Sequence, residues 1–467
     1  MSQRQFDLIV VGTGAAGSSA AMPCAKAGWK VAIVDLEPFG GTCALRGCDP
    51  KKALRAGAEV IDLADRMRNV VDGSVALNWA RLAAFKRSFT DGVPQHSEQS
   101  FRDAGISTFH GRARFIDAHT FKIAGETIWA DHVVIAAGSM PRPLDFPGAE
   151  HLITSTQFME LDDLPARIAF IGGGFISFEF ANMAARAGRE VHIIDRGPRA
   201  LKEFEPELSD MATEAARDAG IHVHLNASPT AIEKQAGGLA IRLALDGREE
   251  TVMADLAVHG AGRVPQIDDL DLDAAGIQFD RKGVVVNDYM QSVSRPHVYA
   301  AGDAASTGLP HTPVARLCGE AAAANLLNGN SRQVSLWGIP RVVFTFPPLT
   351  ACGLTEQEAG EGEMEFEVFK ANTSGWYSAR RVNEKFSFYK IIVERGTGRI
   401  LGAHLLFDRA DEVINLFALA MRLGITAGRL HEAVYAYPTH SNDIGYMLAG
   451  VAEAVGEPEV QPALSAP

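Results

Sequence analysis

The chain has 467 residues, of which 57 are acidic and 44 basic, so its formal net charge is −13. A single hydrophobic core stops growing at roughly 250–300 residues, so this length predicts about two to four domains. The acidic balance argues against nucleic acid or an anionic membrane surface as the main partner. Five cysteines are too few for a disulfide-stapled secreted scaffold, and no run of about 18 uncharged apolar residues predicts a membrane span. We therefore expect a cytoplasmic enzyme.

The N-terminal segment combines a buried strand, a glycine-rich turn, a helix and a second strand that ends at an acidic residue. The first strand spans residues 6–11 and the second residues 30–34. The motif residues are Gly12, Gly14, Gly17 and Asp35. Glycines at these spacings let the backbone turn tightly and approach a pyrophosphate at the helix N-terminus, and the acid accepts hydrogen bonds from ribose hydroxyls. The segment predicts a dinucleotide-binding unit.

A pair of cysteines, Cys43 and Cys48, follows in the sequence GGTCALRGCDPKK. Cysteines this close can form a disulfide across a short loop, and a reduced Cys48 beside Lys51 or Lys52 would have a lowered pKa. Pro50 indicates the first turn of a new helix, whose N-terminus would also stabilise a thiolate. The alternatives are a buried pair of free cysteines and half of a metal site, for which no two further ligands follow locally.

The same order of strand, glycine turn, helix, strand and acid occurs a second time. Its strands span residues 168–171 and 190–194. The turn and the final acid contain Gly172, Gly174, Ser177 in the third glycine position, and Asp195. This segment predicts a second dinucleotide-binding unit.

The later part of the chain first continues this pattern and then changes character. Residues 131–136 form a β-branched run followed by Ala137 and Gly138, and residues 298–301 lead into Gly302, which fits strands of a doubly wound parallel sheet. From about residue 337 we expect three strands and a helix, over residues 342–345, 386–393, 401–407 and 411–423. This texture predicts a third domain of α+β character, and residues 457–467 should form a loose tail.

Taken together, these motifs resemble those of the class I flavoprotein disulfide reductases, the group of glutathione reductase, dihydrolipoamide dehydrogenase and mercuric reductase. The family signature GGTC-x4-GC-x-P-x-K is similar to GGTCALRGCDPKK in this chain. Four further segments resemble family motifs in the family's order, namely residues 136–139, 172–179, 260–265 and 299–315.

The resemblance implies an α/β fold with two Rossmann-like dinucleotide-binding domains and a C-terminal α+β dimerisation domain. The expected segments are an FAD-binding domain in two parts (1–148 and 269–336), an NAD(P)-binding domain (149–268) and a dimerisation domain (337–467). The implied partners are a small-molecule electron acceptor and a second copy of the chain, which would share the active site.

The resemblance also implies which residues hold the cofactors, FAD and NADPH or NADH. Those at the FAD site are Gly12, Gly14, Gly17, Asp35, Gly41, Thr42, Ala113, Gly138, Asp303 and Thr312. Those at the nicotinamide nucleotide site are Lys51, Lys52, Gly172, Gly174, Ile176, Glu179, Asp195, Arg196, Lys202 and Gly262.

In the implied mechanism, NAD(P)H reduces the flavin, which reduces the cysteine pair. Cys48 would be the cysteine nearer the flavin ring, and Cys43 the thiol that attacks the substrate. Glu179 would pair with Lys51, as in glutathione reductases, although Lys52 matches the lysine of dihydrolipoamide dehydrogenases.

The choice of nicotinamide nucleotide depends on conflicting residues. Asp195 favours NAD because a carboxylate repels a 2′-phosphate. Arg196 and Lys202 fall where NADPH-dependent relatives carry two cations, and Arg199 adds a third. Because arginine binds a phosphate bidentately, we favour NADPH and keep NADH as the alternative.

The C-terminal motif departs from the family pattern. The family's H-P-T-x-x-E carries an acid–base histidine that reaches the partner's site, whereas this chain has Tyr437 and Asn442 at the two positions. A tyrosine with a pKa near ~10 is a poor base but a usable hydrogen-bond donor. His440, three residues after Tyr437, is a second candidate.

Three functions remain open on this basis. The first is an NADPH-dependent disulfide reductase in which Tyr437 replaces the histidine. The second is a reductase whose acceptor is a metal ion, a quinone or a reactive oxidant, which needs no strong acid. The third is a flavin-binding redox sensor.

Overall fold

The computed structural model describes residues 4–245, 247–362 and 364–457. Apart from Glu457, the expected C-terminal tail lies outside the described residues. The described residues form three main sheet systems, and these confirm the expected α/β class with a C-terminal α+β domain.

A seven-stranded sheet forms around the N-terminal strand. Across the sheet, its strands are Ser107–His110, Val31–Asp35, Arg4–Val11, Glu126–Ile135, Thr120–Ile123 and Ala113–Phe115, and Val298–Ala300 pairs with Glu126–Ile135. The central strands are parallel, and Leu8 and Ile9 are fully buried on opposite faces because both faces are covered. Since Val298–Ala300 returns to this sheet, two distant parts of the chain build one layer.

A second parallel sheet has four strands, with helices on one face and an antiparallel sheet on the other. Its strands are Ile221–His224, Glu190–Ile194, Arg167–Ile171 and Leu256–His259. Phe170 packs among the helical residues, whereas its neighbour Ile171 packs against the antiparallel strands, as the period of two along a strand requires. The antiparallel strands are Ala227–Gln235, Gly238–Leu245 and Arg248–Ala254.

The C-terminal part is a five-stranded antiparallel sheet covered by the helix Ala410–Leu423. Its strands, in order, are Arg341–Val343, Leu349–Gly353, Ile400–Leu406, Phe388–Glu394 and Phe366–Asn372. The sequence predicted this helix and three of the strands, but it missed Leu349–Gly353 and Phe366–Asn372.

In the part of the chain that the structure describes, seven other helices have eleven or more residues. They are Ala15–Lys26, Cys48–Arg66, Trp79–Thr90, Val93–Asp103, Phe175–Arg186, Pro206–Asp218 and Thr312–Asn328. Among the described residues, no helix combines the length and apolar character needed to cross a membrane. Two of these seven helices build the site described below. We name Cys48–Arg66 the redox helix and Phe175–Arg186 the nucleotide helix.

Candidate active site

The redox helix places one thiol and three basic side chains on one face. Cys48 is its first residue, and Lys51, Lys52 and Arg55 follow at helical spacings of three, four and seven. Residues at these spacings lie on one side of an α-helix. The helix therefore lines up a thiol, two ammonium groups and a guanidinium along a single direction.

The two cysteines of the motif are present as thiols and influence each other's ionisation. A hydrogen bond from the Cys43 thiol is the largest cause that lowers the Cys48 pKa, to about 6, and the Thr312 hydroxyl and the two lysines add to it against the effect of burial. The same hydrogen bond, together with burial, raises the pKa of Cys43. The Sγ of Cys48 lies 3.4 Å from the Thr312 Oγ1. At neutral pH Cys48 is therefore the thiolate and Cys43 the proton-bearing thiol.

Glu179 of the nucleotide helix receives both lysines of the redox helix. Its Oε2 lies 2.9 Å from the Nζ of Lys51 and 2.8 Å from the Nζ of Lys52, and its side chain is only 1% exposed. Burial pushes the pKa of Glu179 up, but the two ammonium groups outweigh it and lower that pKa to about 2. Burial lowers the pKa of Lys52 to about 8. Of the two lysines that the sequence offered as partners, the structure uses both.

A groove at the carboxyl end of the first sheet contains most residues predicted to hold FAD. Gly12 has φ +108°, and a Cβ there would collide with the Ala136 carbonyl. Gly41 has φ +73°, and a Cβ there would collide with Gly14. The predicted residues that line the groove are Gly12, Gly14, Asp35, Gly41, Thr42, Ala113 and Gly138. The bare backbone at the N-terminus of the helix Ala15–Lys26 fits a dinucleotide pyrophosphate.

The two acids predicted at the FAD site accept hydrogen bonds from neighbouring residues. The Asp35 Oδ2 accepts hydrogen bonds from the backbone N–H and the hydroxyl of Thr13, at 2.8 and 2.6 Å. The Asp303 Oδ2 accepts a hydrogen bond from the Ser139 hydroxyl at 2.7 Å, and Arg263 donates to the same hydroxyl. Thr13 was not among the predicted site residues, although it stands between two motif glycines.

Three more predicted cofactor residues lie around these two sites. Gly17 is buried inside the helix Ala15–Lys26. Ile176 lies in the first turn of the nucleotide helix and is half-buried. The carbonyl of Gly262 accepts a hydrogen bond from the backbone N–H of Arg142 at 3.1 Å.

The second glycine turn binds Asp195 through the backbone. The Asp195 Oδ2 accepts from the Gly173 N–H at 2.5 Å and the Oδ1 from the Gly197 N–H at 2.7 Å. Gly172 begins this turn, and Gly174 caps the nucleotide helix. Each carboxylate oxygen therefore accepts one backbone hydrogen bond, which fixes the orientation of the Asp195 side chain on the turn.

The cations after Asp195 differ in whether they have a partner. Arg199 forms two hydrogen bonds with Asp210, of 2.7 and 3.0 Å. Arg196 and Lys202 are exposed, and neither forms an ion pair within residues 4–245, 247–362 and 364–457. Two of the three cations are thus available to a ligand phosphate.

Tyr437 and His440 face different surroundings. Tyr437 is 72% exposed and lines a pocket in the C-terminal domain together with Trp376, Tyr377, Arg381 and Tyr446. This pocket is lined entirely by residues of the C-terminal domain.

His440 is buried and turns inward from this pocket. Its ring stacks on Phe407, and its Nε2 lies 3.6 Å from the Asp408 Oδ2. Burial is the largest cause that lowers the pKa of His440. The structure therefore does not bring the two candidates for the family histidine together.

Comparison with protein-family models decides which family has this site. Residues 6–319 match the pyridine nucleotide-disulphide oxidoreductases, and residues 339–448 match the dimerisation domain of these enzymes. The chain belongs to this family. Its members depend on FAD and NAD(P)H, in accord with the two glycine-turn sites described above.

The relatives include reductases with different names. A mercuric reductase of Staphylococcus aureus is 31% identical over 93% of this chain and 80% of its own length. A glutathione reductase of Nostoc sp. is 31% identical over 94% of this chain and 98% of its own length. A Cu(II) complex of the HOCl-induced flavoprotein disulfide reductase RclA from Escherichia coli has a TM-score of 0.85 and 25% identity, and covers 97% of this chain and 100% of its own. Family membership therefore leaves the electron acceptor open.

Proposed function

We propose that this protein is an FAD-dependent NADPH:disulfide oxidoreductase that passes two electrons through Cys43 and Cys48 to a small acceptor. The observation that carries the proposal is the redox helix, which presents the Cys48 thiolate and, one turn later, the two lysines bound to Glu179. A thiolate next to a nicotinamide-binding ion pair is what electron transfer from NADPH to a disulfide requires.

Each group has a role in the proposed reaction. Gly12, Gly14 and Gly41 would hold the FAD pyrophosphate, and FAD would supply the transfer of an electron pair from the nicotinamide to the disulfide. Two electrons and one proton, together equivalent to the hydride of NADPH, break the Cys43–Cys48 bond and leave Cys43 as the thiol and Cys48 with the negative charge. With a disulfide acceptor, Cys43 loses its proton and bonds to one acceptor sulfur, while the other acceptor sulfur leaves as a thiolate that takes up the proton. The Cys48 thiolate then attacks Cys43, which re-forms the Cys43–Cys48 bond and releases the second acceptor thiolate.

Anaerobic titration with NADPH tests this proposal. NADPH should lower the absorbance of oxidised flavin and make Cys43 and Cys48 open to alkylation, as peptide mapping would show. Reduction of the flavin without any appearance of these thiols would refute the proposed route. A redox sensor, in contrast, would show this reduction but no sustained turnover with any acceptor.

We expect Arg196 and Lys202 to select NADPH through its 2′-phosphate. Replacing both with alanine should lower kcat/KM for NADPH at least about tenfold, because charge-assisted hydrogen bonds to a phosphate are lost. The value for NADH should change much less. Arg199→Ala is the matched control, since Asp210 already occupies this arginine. Equal losses with both nucleotides would rule out selection by this pair.

Tyr437 is proposed to donate a hydrogen bond to the acceptor in the site of the second subunit of a homodimer. Tyr437→Phe should slow turnover with a disulfide acceptor about ten- to hundredfold, because the leaving thiolate loses its donor. Flavin reduction by NADPH alone should be unchanged. Tyr446→Phe is the control, as Tyr446 is also exposed and lines the same pocket. Unchanged turnover in the Tyr437 variant would remove this residue from the mechanism.

The second candidate function is reduction of an acceptor that has no thiol leaving group, such as a metal ion. Two observations favour it. Tyr437 and Asn442 replace the family's acid–base pair, and His440 is turned inward. The similar RclA protein also has a structure with Cu(II). A screen of disulfides, Cu(II), Hg(II) and quinones should separate the two functions, because only disulfide reduction should depend on Tyr437.

A further inference from the structure

We propose that Phe344, in the segment after the first strand of the C-terminal domain, is a positioning residue that fixes the Lys52 ammonium at the nicotinamide site. The inference rests on the proposed function for its catalytic consequence, but its structural content does not. Phe344 lies in the part of the chain that matches a dimerisation domain, so the proposal gives this domain a role inside its own subunit.

Three groups of Phe344 contact the residues of the site. Its ring lies 3.8 Å from the Nζ of Lys52, measured to the ring centre. Its backbone N–H donates to the Glu179 Oε1 at 3.1 Å. Its carbonyl accepts a hydrogen bond from the Nε of Arg55 at 3.2 Å. Phe344 thus contacts the Glu179 carboxylate of the nucleotide helix and two cations of the redox helix, the Lys52 ammonium and the Arg55 guanidinium.

The Phe344 ring offsets a repulsion between the two ammonium groups at Glu179. Both ammonium groups point at the same oxygen, so Lys51 and Lys52 repel each other while they compete for it. The negative face of an aromatic ring attracts an ammonium group, and this attraction is strongest where water is excluded. Phe344 therefore gives Lys52 a second favourable contact that the carboxylate cannot supply.

The neighbouring segment keeps this ring in place. The Arg55 guanidinium lies 4.6 Å from the ring centre of Phe346, and the Arg186 guanidinium lies 4.7 Å from the same ring. Arg55 belongs to the redox helix and Arg186 to the nucleotide helix. The segment 344–346 is therefore clamped between the two helices that carry the site.

The charges around Lys52 fix the direction of the expected effect. Glu179 faces it from the nucleotide helix, and Lys51, Cys48 and Arg55 lie on its own helix. Burial already lowers the pKa of Lys52 to about 8. Since the ring favours the charged form, its removal should lower this pKa further and leave Glu179 with Lys51 alone at alkaline pH.

The test compares Phe344→Leu, which keeps apolar bulk without a ring, with Phe344→Tyr, which keeps the ring. Phe369→Leu is the matched control, because Phe369 is a half-buried phenylalanine in a strand of the same domain. Competitive labelling of the holoenzyme amines over a range of pH, with peptide mapping, reports the Lys52 pKa without using activity. We expect a downward shift of about 0.5–1 unit in Phe344→Leu, and wild-type values in the other two variants.

Flavin reduction by NADPH gives the second readout. The pH at which the rate falls on the alkaline side should be lower in Phe344→Leu by the same amount as the Lys52 pKa. In Phe344→Tyr it should have the wild-type value. An unchanged Lys52 labelling profile in Phe344→Leu, or in Phe344→Met should the leucine variant not fold, overturns the inference. If the wild-type flavin does not respond to NADPH, the proposed function fails, whereas the labelling still decides the role of Phe344.

Discussion

Cys48→Ser should abolish reduction of the acceptor, with a loss of about a thousandfold or more in turnover. A serine hydroxyl cannot form a disulfide with Cys43, and it is not ionised at pH 7, so no two-electron carrier remains between flavin and acceptor. The variant should still bind FAD, because the groove residues are untouched. Turnover with NADPH and the best acceptor, measured beside the flavin absorbance, checks both expectations.

Cys43→Ala is the informative companion variant, because alanine, unlike serine, has no side-chain hydrogen-bond donor. It should also be inactive towards the acceptor, but Cys48 would lose the hydrogen bond that is the largest cause of its lowered pKa. The Cys48 thiolate should therefore form near pH 6 in the reduced wild-type protein and at a distinctly higher pH in the variant. The rate of alkylation of Cys48 as a function of pH measures this. Coincident profiles would show that Cys43 does not stabilise the thiolate.

Local patterns in the sequence were sufficient to predict the two units of strand, glycine turn, helix and strand. Gly12 and Asp35 could be assigned because a glycine turn and the acid after the next strand are parts of one short unit. The helix around Pro50 was also predictable, since its start depends on adjacent residues. These features involve contacts within about 30 residues of chain.

Contacts between segments that are distant in the chain could not be predicted from the sequence. Phe344 reaches Glu179 across 165 positions, and no local pattern marks it. The sequence favoured Lys51 and kept Lys52 open as partners of Glu179 for a similar reason, because one carboxylate can meet both lysines only after the two helices have packed. The inward rotation of His440 depends on Phe407 and Asp408, which its own motif does not contain.

Glu179→Gln should destabilise the protein and disable the nicotinamide site together. The amide leaves the buried Lys51 ammonium and the half-buried Lys52 ammonium without a counter-charge, and breaking a buried ion pair on one side costs about 3–5 kcal/mol. The two ammonium groups would repel each other in the same place, so flavin reduction by NADPH should slow about a hundredfold. Stopped-flow reduction and denaturant unfolding of the holoenzyme measure the two effects.

A double-mutant cycle separates this charge effect from a general loss of packing. Lys52→Met removes one ammonium group, so it should restore part of the stability lost in Glu179→Gln, and the double variant should be destabilised by less than the sum of the two single changes. Lys86→Met is the control, because Lys86 is a buried lysine paired with Glu160, away from this site. The free-energy changes of Glu179→Gln and Lys52→Met could instead be additive, as those of Glu179→Gln and Lys86→Met should be. In that case Glu179, Lys51 and Lys52 do not form one electrostatic unit. The role given to Phe344 would then lose its basis as well.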